Sequence, residues 1–92
     1  MGFYLKDPQS RVDYAIDWAV QLNGQAIAES SWAVVPDEAG GIAVEESGFD
    51  GSRSGARLSG GVIGHVYSIG NRVTLSDGSV DARSITLRVE DR

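Results

Sequence analysis

Ninety-two residues hold one domain and one core, and a chain this short buries only about 60% of the surface its unfolded form exposes. With no cysteine and a single histidine, His65, it has no disulfide brace, no thiolate nucleophile or cluster, and too few ligands for a multi-histidine zinc site. The formal charge of −5 divides into −7 over residues 1–50 (two bases, nine acids) and +2 over residues 51–92 (six arginines, four acids), with no basic run of the kind nonspecific nucleic-acid binding needs.

The opening MGFYLKDPQS has no basic start followed by an apolar stretch, so it does not read as a secretory signal, and Lys6 stands where a myristoylation site needs Ser or Thr. Phe3-Tyr4-Leu5 is more apolar than a free tail. Residues 1–8 are therefore either an edge strand or an extended arm laid on a partner, with the whole of 1–92 as one sandwich domain. Arg11 to Leu22 alternates: Val12, Tyr14, Ile16, Trp18, Val20 and Leu22 share one face, which predicts a long strand, with helix the minority alternative because of Ala15 and Ala19. Asn23-Gly24 supplies a turn. Ala26 to Val35 is a second strand with Trp32 and Val34 on one face, room for a bulge at Glu29-Ser30-Ser31, and Pro36 as its stop. Asp37 to Gly41 reads as a loop, Ile42 to Glu45 as a short strand, and Glu46 to Arg53 as a turn-rich connection around Phe49.

Ser54 to Ser59 is a weak strand ended by Gly60-Gly61. His65 to Leu75 alternates cleanly, with Tyr67, Ile69, Asn71, Val73 and Leu75 on one face. Asp77-Gly78 signals a hairpin, and Ala82 to Glu90 alternates with Ile85, Leu87 and Val89 inward. No segment convincingly favours helix. Val and Ile together far outnumber Leu, and twelve glycines supply turns. The ends, Met1-Gly2 and Asp91-Arg92, read as loose. Six or seven short strands with such turns predict an all-β, immunoglobulin-like antiparallel β-sandwich. Its core is expected from Tyr14, Trp18, Trp32, Tyr67, Ile69, Ile85 and Leu87. Tyr67, just after a glycine turn, stands where a tyrosine corner bonds its hydroxyl to the connecting loop. Asn71, an amide on an apolar face, needs buried partners, expected from the backbone of a loop or bulge.

Little here carries chemistry. Asp13 and Asp17 are roughly 13 Å apart along a strand, too far to share a proton or a metal ion. Asp50-Gly51-Ser52 and Asp77-Gly78-Ser79 lack the spacing of a calcium loop and read as turns. Gly60-Gly61-Val62-Ile63-Gly64 precedes no Lys-Ser/Thr and no helix, so it is a turn rather than a phosphate cradle. His65 reads as a solvent-edge residue. No nucleophile, base and anion stabiliser assemble, so no catalytic residue, cofactor or metal is expected.

The run Tyr4-Leu5-Lys6-Asp7-Pro8, Asp13-Tyr14, Asp17-Trp18, Trp32-Ala33-Val34, Gly61, Tyr67, Asn71-Arg72-Val73, Asp77-Gly78 and Ser84-Ile85-Thr86-Leu87-Arg88-Val89 resembles a family of small structural proteins of tailed bacteriophages, the fiber–tail adaptors. The resemblance implies a place in the virion, synthesis in the cytoplasm of a bacterial host, no enzyme activity, and a connector's role in several copies between tail and fiber proteins. The acidic balance without a basic run and the shortness of every apolar run argue against a nucleic-acid or membrane partner. A head decoration protein, or a carbohydrate- or host-surface-binding module, are the alternatives. Candidate partner contacts are the apolar Phe3, Tyr4 and Leu5, the outward acids Asp13 and Asp17, and the loop aromatic Phe49. The uneven charge would let one copy's acidic half meet another's arginine-bearing half.

Overall fold

The computed structural model describes residues 3–91; the side chain of Phe3 and the loose ends expected at Met1, Gly2 and Arg92 lie outside the described part. Among the described residues the chain forms seven strands: β1 Phe3–Lys6, β2 Val12–Asp17, β3 Ile27–Val35, β4 Ile42–Phe49, β5 Arg53–Gly60, β6 Val66–Leu75 and β7 Val80–Val89, with one 3-10 turn at Ala19–Gln21. They build a four-stranded sheet in the order β1-β7-β6-β3 and a three-stranded sheet in the order β2-β5-β4. The chain is all-β, and the two sheets pack face to face.

β6 and β7 form because each alternates large apolar residues with polar ones, which suits a strand with one buried face. Tyr67, Ile69, Val73, Leu87 and Val89 are fully buried, as are Leu58 from the opposite sheet and Trp18 just beyond the end of β2. Two apolar clusters fill the space between the sheets. One gathers Ile42, Ala56, Leu58, Tyr67, Ile69, Leu87 and Val89; the other gathers Ile16, Trp18, Leu22, Ile27, Val73 and Leu75; Trp32 packs against both. Tyr14, Trp32 and Ile85 are half-buried at the margins.

Four features depart from the sequence reading. The strand expected through Leu22 ends at Asp17. Asp17 Oδ1 accepts the Ala19 N–H (2.9 Å) and the Trp18 N–H turns to the Ser52 carbonyl (2.8 Å), so the chain leaves the sheet. Trp18 and Leu22, which flank the turn, stay buried, while Val20 inside it is 88% exposed. The expected connection Glu46 to Arg53 is mostly strand: β4 runs to Phe49, and only Asp50-Gly51-Ser52 turns, held by Asp50 Oδ1 accepting the Ser52 and Arg53 N–H groups (2.9 and 2.8 Å). The first half of β4 reads as the strand expected from Ile42 to Glu45; its second half does not, because it is an edge strand exposed on both faces beyond Ile42 and Val44, with a register shift between Val44 and Glu46 that breaks its alternation.

The expected antiparallel arrangement has an exception. β1 runs parallel to β7, in the register Phe3↔Thr86 to Lys6↔Val89. Finally, the charge halves of the sequence do not become charged faces. β5, from the arginine-bearing half, lies between β2 and β4 of the acidic half. Arg57 therefore meets Asp13 (2.9 Å) and Glu46 (3.5 Å) within one copy, beside an Arg11–Glu45 pair (3.3 Å).

At one end of the sandwich β5 passes into Gly60-Gly61, both at positive φ (77° and 113°). A Cβ on Gly60 would stand 2.7 Å from the Gly41 carbonyl oxygen, and one on Gly61 would stand 2.5 Å from a Val89 methyl. Only glycine fits that close approach.

Candidate interaction surfaces

A polar band crosses the core between the two apolar clusters. Asn71, 1% exposed, accepts the Trp18 indole N–H at Oδ1 (2.9 Å) and donates through Nδ2 to Ser30 Oγ (2.9 Å) and the Ser31 carbonyl (3.0 Å). Ser30 Oγ meets the fully buried Ser54 Oγ (2.6 Å), which also accepts the Trp32 indole N–H (3.1 Å). The partners of Asn71 are thus two side chains, Ser30 on the neighbouring β3 and Trp18 just beyond β2, and one β3 carbonyl, where the sequence suggested loop or bulge backbone. Both indoles are satisfied, and the band joins the two sheets.

At the end of β1, Lys6 is 1% exposed. Its Nζ donates to the carbonyls of Asp7 (2.9 Å), Ser10 (2.7 Å) and Gly60 (2.7 Å), which uses all three ammonium protons. Burial holds its pKa below the ordinary lysine value. No periodicity pointed to Lys6. Its only sequence signal is that it is the sole lysine of the chain and follows three apolar residues.

Near Gly61 the Tyr67 hydroxyl accepts the Val62 N–H (3.0 Å) and donates to Glu38 Oε2. His65 Nδ1 meets the same oxygen at 2.9 Å. The loop after β3 is thereby tied to the loop before β6. Burial and the bond to Glu38 raise the Tyr67 pKa, and the Tyr67 and His65 bonds lower that of Glu38.

The residues proposed for partner contact scatter over this frame. The Tyr4 ring packs on Tyr14 with centroids 5.2 Å apart, and burial raises the Tyr14 pKa. Leu5 points out from the four-stranded sheet, beside Arg88 and Val66. Asp13 is held by Arg57, whose bond lowers its pKa, and Asp17 caps the 3-10 turn. Phe49 is exposed at the far end of β4, in a groove it shares with Glu29, Arg72 and Thr74. Asp13, Tyr4 and Phe49 therefore do not form one patch. Among the described residues no three His, Asp or Glu side chains converge as metal ligands.

The feature sequence reasoning missed is the seam between β7 and β2. β1 pairs only with Thr86–Val89, so the first half of β7 has β6 on one side and no strand on the other among the described residues. Beside it runs a groove of about 450 Å3, lined by Tyr4, Tyr14, Ile16, Trp32, Arg83 and Ile85 among others. Arg83 lies 5.7 Å from the Trp18 ring centroid and 3.4 Å from the Asp17 carbonyl, with no carboxylate partner among the described ion pairs.

The model of one protein family, described as podophage GP4 fiber-tail adaptor protein gp77, matches residues 6–88. No curated protein matches the chain.

Proposed function

The chain belongs to the podophage fiber–tail adaptor family, and from that premise we propose that it is a non-enzymatic virion connector, bound in several copies between tail and fiber proteins. The observation that carries the reading is the family match, which runs from Lys6 at the end of β1 to Arg88 near the end of β7 and so spans both sheets. The fold supports it. A small two-sheet domain has sheet edges that must be paired, covered or charged, and it gains stability when neighbours bind its folded form.

We further infer an immunoglobulin-like sandwich in a single domain. The orders β2-β5-β4 and β3-β6-β7 match the B-E-D and C-F-G order of such sandwiches, with β1 lying beside the last strand. The Tyr67 hydroxyl bonded to Val62 supports this as a tyrosine corner.

Deleting the coding sequence from the phage genome tests the function. Particles lacking the chain are expected to have tails but no attached fibers, and cryo-electron microscopy of complete particles should place its density between the two. Fibers still attached in its absence, or purified particles without this chain by mass spectrometry, overturn the reading.

A further inference from the structure

Hydrogen bonds at one end of the four-stranded sheet fix which way its backbone groups point. The Val89 N–H donates to the His65 carbonyl (3.0 Å) and the Val89 carbonyl accepts the Gly64 N–H (2.8 Å), so odd positions of β7 bond toward β6. Their partners in β6 are odd as well: Tyr67↔Leu87, Ile69↔Ile85 and Asn71↔Arg83. Bonding direction alternates along an antiparallel strand, so the even positions of β6 bond toward β3, where they meet Ser31, Ala33 and Val35. Ser30, Trp32 and Val34 therefore turn their N–H and carbonyl groups to the far side of β3. β3 is the last strand of its sheet, and no strand pairs with that side among the described residues. Met1 and Gly2 join β1, which stands three strands, about 14 Å, from β3, and two residues span only about 7 Å. Arg92 follows Glu90, whose N–H bonds the Lys6 carbonyl on the β1 side (2.8 Å).

Sheet edges are ordinarily protected by charge, proline, bulges or shortness. β2 carries Asp13 and Asp17, β4 carries Glu45 and Glu46, and β1 has only four residues. β3 has a register shift after Ile27 and Pro36 beyond its end. Between them, Ser30-Ser31-Trp32-Ala33-Val34-Val35 holds no charge, no glycine and no proline. Such an edge pairs with its own copy without setting like charges opposite one another.

A two-fold axis at Trp32 brings all the outward groups into pairs. Trp32 stands opposite Trp32 of the second copy, and Ser30 opposite Val34, twice; three such pairs give six backbone bonds. On the outer face Ser31 then meets Ala33, and Glu29 meets Val35. Val35 is exposed at one end of β3. Phe49 is exposed at the other, in a groove of about 520 Å3 that it shares with Glu29, Ser31 and Thr74. In this register Val35 of each copy enters the Phe49 groove of the other, so the two exposed apolar residues cover each other reciprocally.

We propose that the free edge of β3 is a self-association surface: two copies join antiparallel along Ser30–Val34 about a two-fold axis at Trp32, making one continuous eight-stranded sheet. The inference concerns the isolated chain and stands apart from the adaptor reading.

Sedimentation equilibrium of the purified protein should show a monomer–dimer equilibrium. Ser31 and Ala33 are exposed, so S31K/A33K leaves the core alone while setting lysines opposite one another. Its dimer should be about ten-fold weaker, and so should that of S31E/A33E. Thermal melts near that of the wild type confirm that both fold. Mixed in equal amounts, the two should dimerise again, one lysine copy with one glutamate copy, by native mass spectrometry. The register is read by oxidising an equal mixture of S31C and A33C, in a chain with no cysteine of its own. The mixed disulfide should form in excess over both same-variant dimers, and this arm holds whether or not the charged variants fold. Wild-type protein that stays monomeric at millimolar concentration overturns the proposal. So do charged variants that dimerise as the wild type does, a lysine–glutamate mixture that stays monomeric, or disulfides in statistical proportion.

Discussion

Replacing Asn71 with leucine tests the polar band most directly, because it keeps the side chain close in size while removing every polar atom. Three bonds are lost: the Trp18 indole N–H, Ser30 Oγ and the Ser31 carbonyl each lose their Asn71 partner. Ser30 keeps Ser54, so its loss is small. The Trp18 indole has no other bonded acceptor and is fully buried, and an orphaned buried donor costs about 1–3 kcal/mol. With the Ser31 carbonyl added, the total is about 2–4 kcal/mol, against the roughly 5–15 kcal/mol that ordinarily separates folded from unfolded domains. At about 4–8 °C per kcal/mol for a chain of this size, the melting point should fall by about 8–32 °C.

The assay is urea unfolding followed by tryptophan emission, with an unchanged m-value to show that the compactness of neither end state has moved. The decisive arm is the cycle with Trp18→Phe. That change alone strands Asn71 Oδ1, but in the double variant neither partner is left unpaired across the bond. The double loss should therefore fall short of the summed single losses by about 1–2 kcal/mol. Additive losses, or an N71L cost below about 1 kcal/mol with Trp18 emission unchanged, would falsify the claim that this band is a coupled network.

Two further perturbations probe the margins of the fold. Lys6→Met removes the donor from the Ser10 and Gly60 carbonyls; the Asp7 carbonyl keeps the Ser10 N–H and hydroxyl. The cost should be about 2–3 kcal/mol, with faster hydrogen exchange at the Glu90 N–H as β1 lifts; unchanged exchange at Glu90 would show that Lys6 does not hold the strand. The carboxyls of Asp13, Glu38, Asp50 and Asp77 all titrate below their usual values. Between the folded and unfolded values the unfolded chain binds more protons, so their stabilisation is present above about pH 4.5 and fades as pH falls through the folded values. Thermal melts should show that acid loss, and Glu38→Gln should make it shallower; identical acid limbs would rule out the Tyr67–Glu38–His65 contact as a contributor.

How much of this was legible depended on how a strand is buried. β6 and β7 each press one face into the core, so their alternation reads directly, and so does β2 as far as Asp17. Beyond Asp17 the alternation continues in the sequence through Val20 and Leu22, but the chain turns out of the sheet at a 3-10 turn whose flanking residues Trp18 and Leu22 are the buried ones, and local alternation does not encode that turn. β4 has little buried face to alternate with. β5 looked weak because its inward residues are Ser54, Ala56 and Leu58, yet it is the central strand of its sheet; small residues are what the indole of Trp32 and the Ser30 hydroxyl require there. The Lys6 cage and the groove beside β7 depend on long-range pairings, β1 beside β7 and Gly60 beside Lys6, that no local pattern encodes.

The position of the polar band supplies a reason for its place in a core that apolar residues would fill at lower desolvation cost. Slipping β6 by one residue against β3 would expose its apolar face, so alternation alone forbids it. Slipping by two keeps every apolar residue inward and is not forbidden that way. In the native register Asn71 sits opposite Trp32 and reaches Ser30 and the Ser31 carbonyl. A two-residue slip in either direction would carry the amide about 7 Å from its native place, taking Oδ1 away from the Trp18 indole and Nδ2 away from the Ser31 carbonyl and leaving the buried indole without its acceptor. The orphaned groups would cost several kcal/mol, more than a short sheet gains by sliding. The band therefore singles out one register among those the hydrophobic pattern permits. A connector needs that uniqueness, because the same ladder fixes where the end of β3 and the Glu38 loop stand against Tyr67 and His65 at the start of β6.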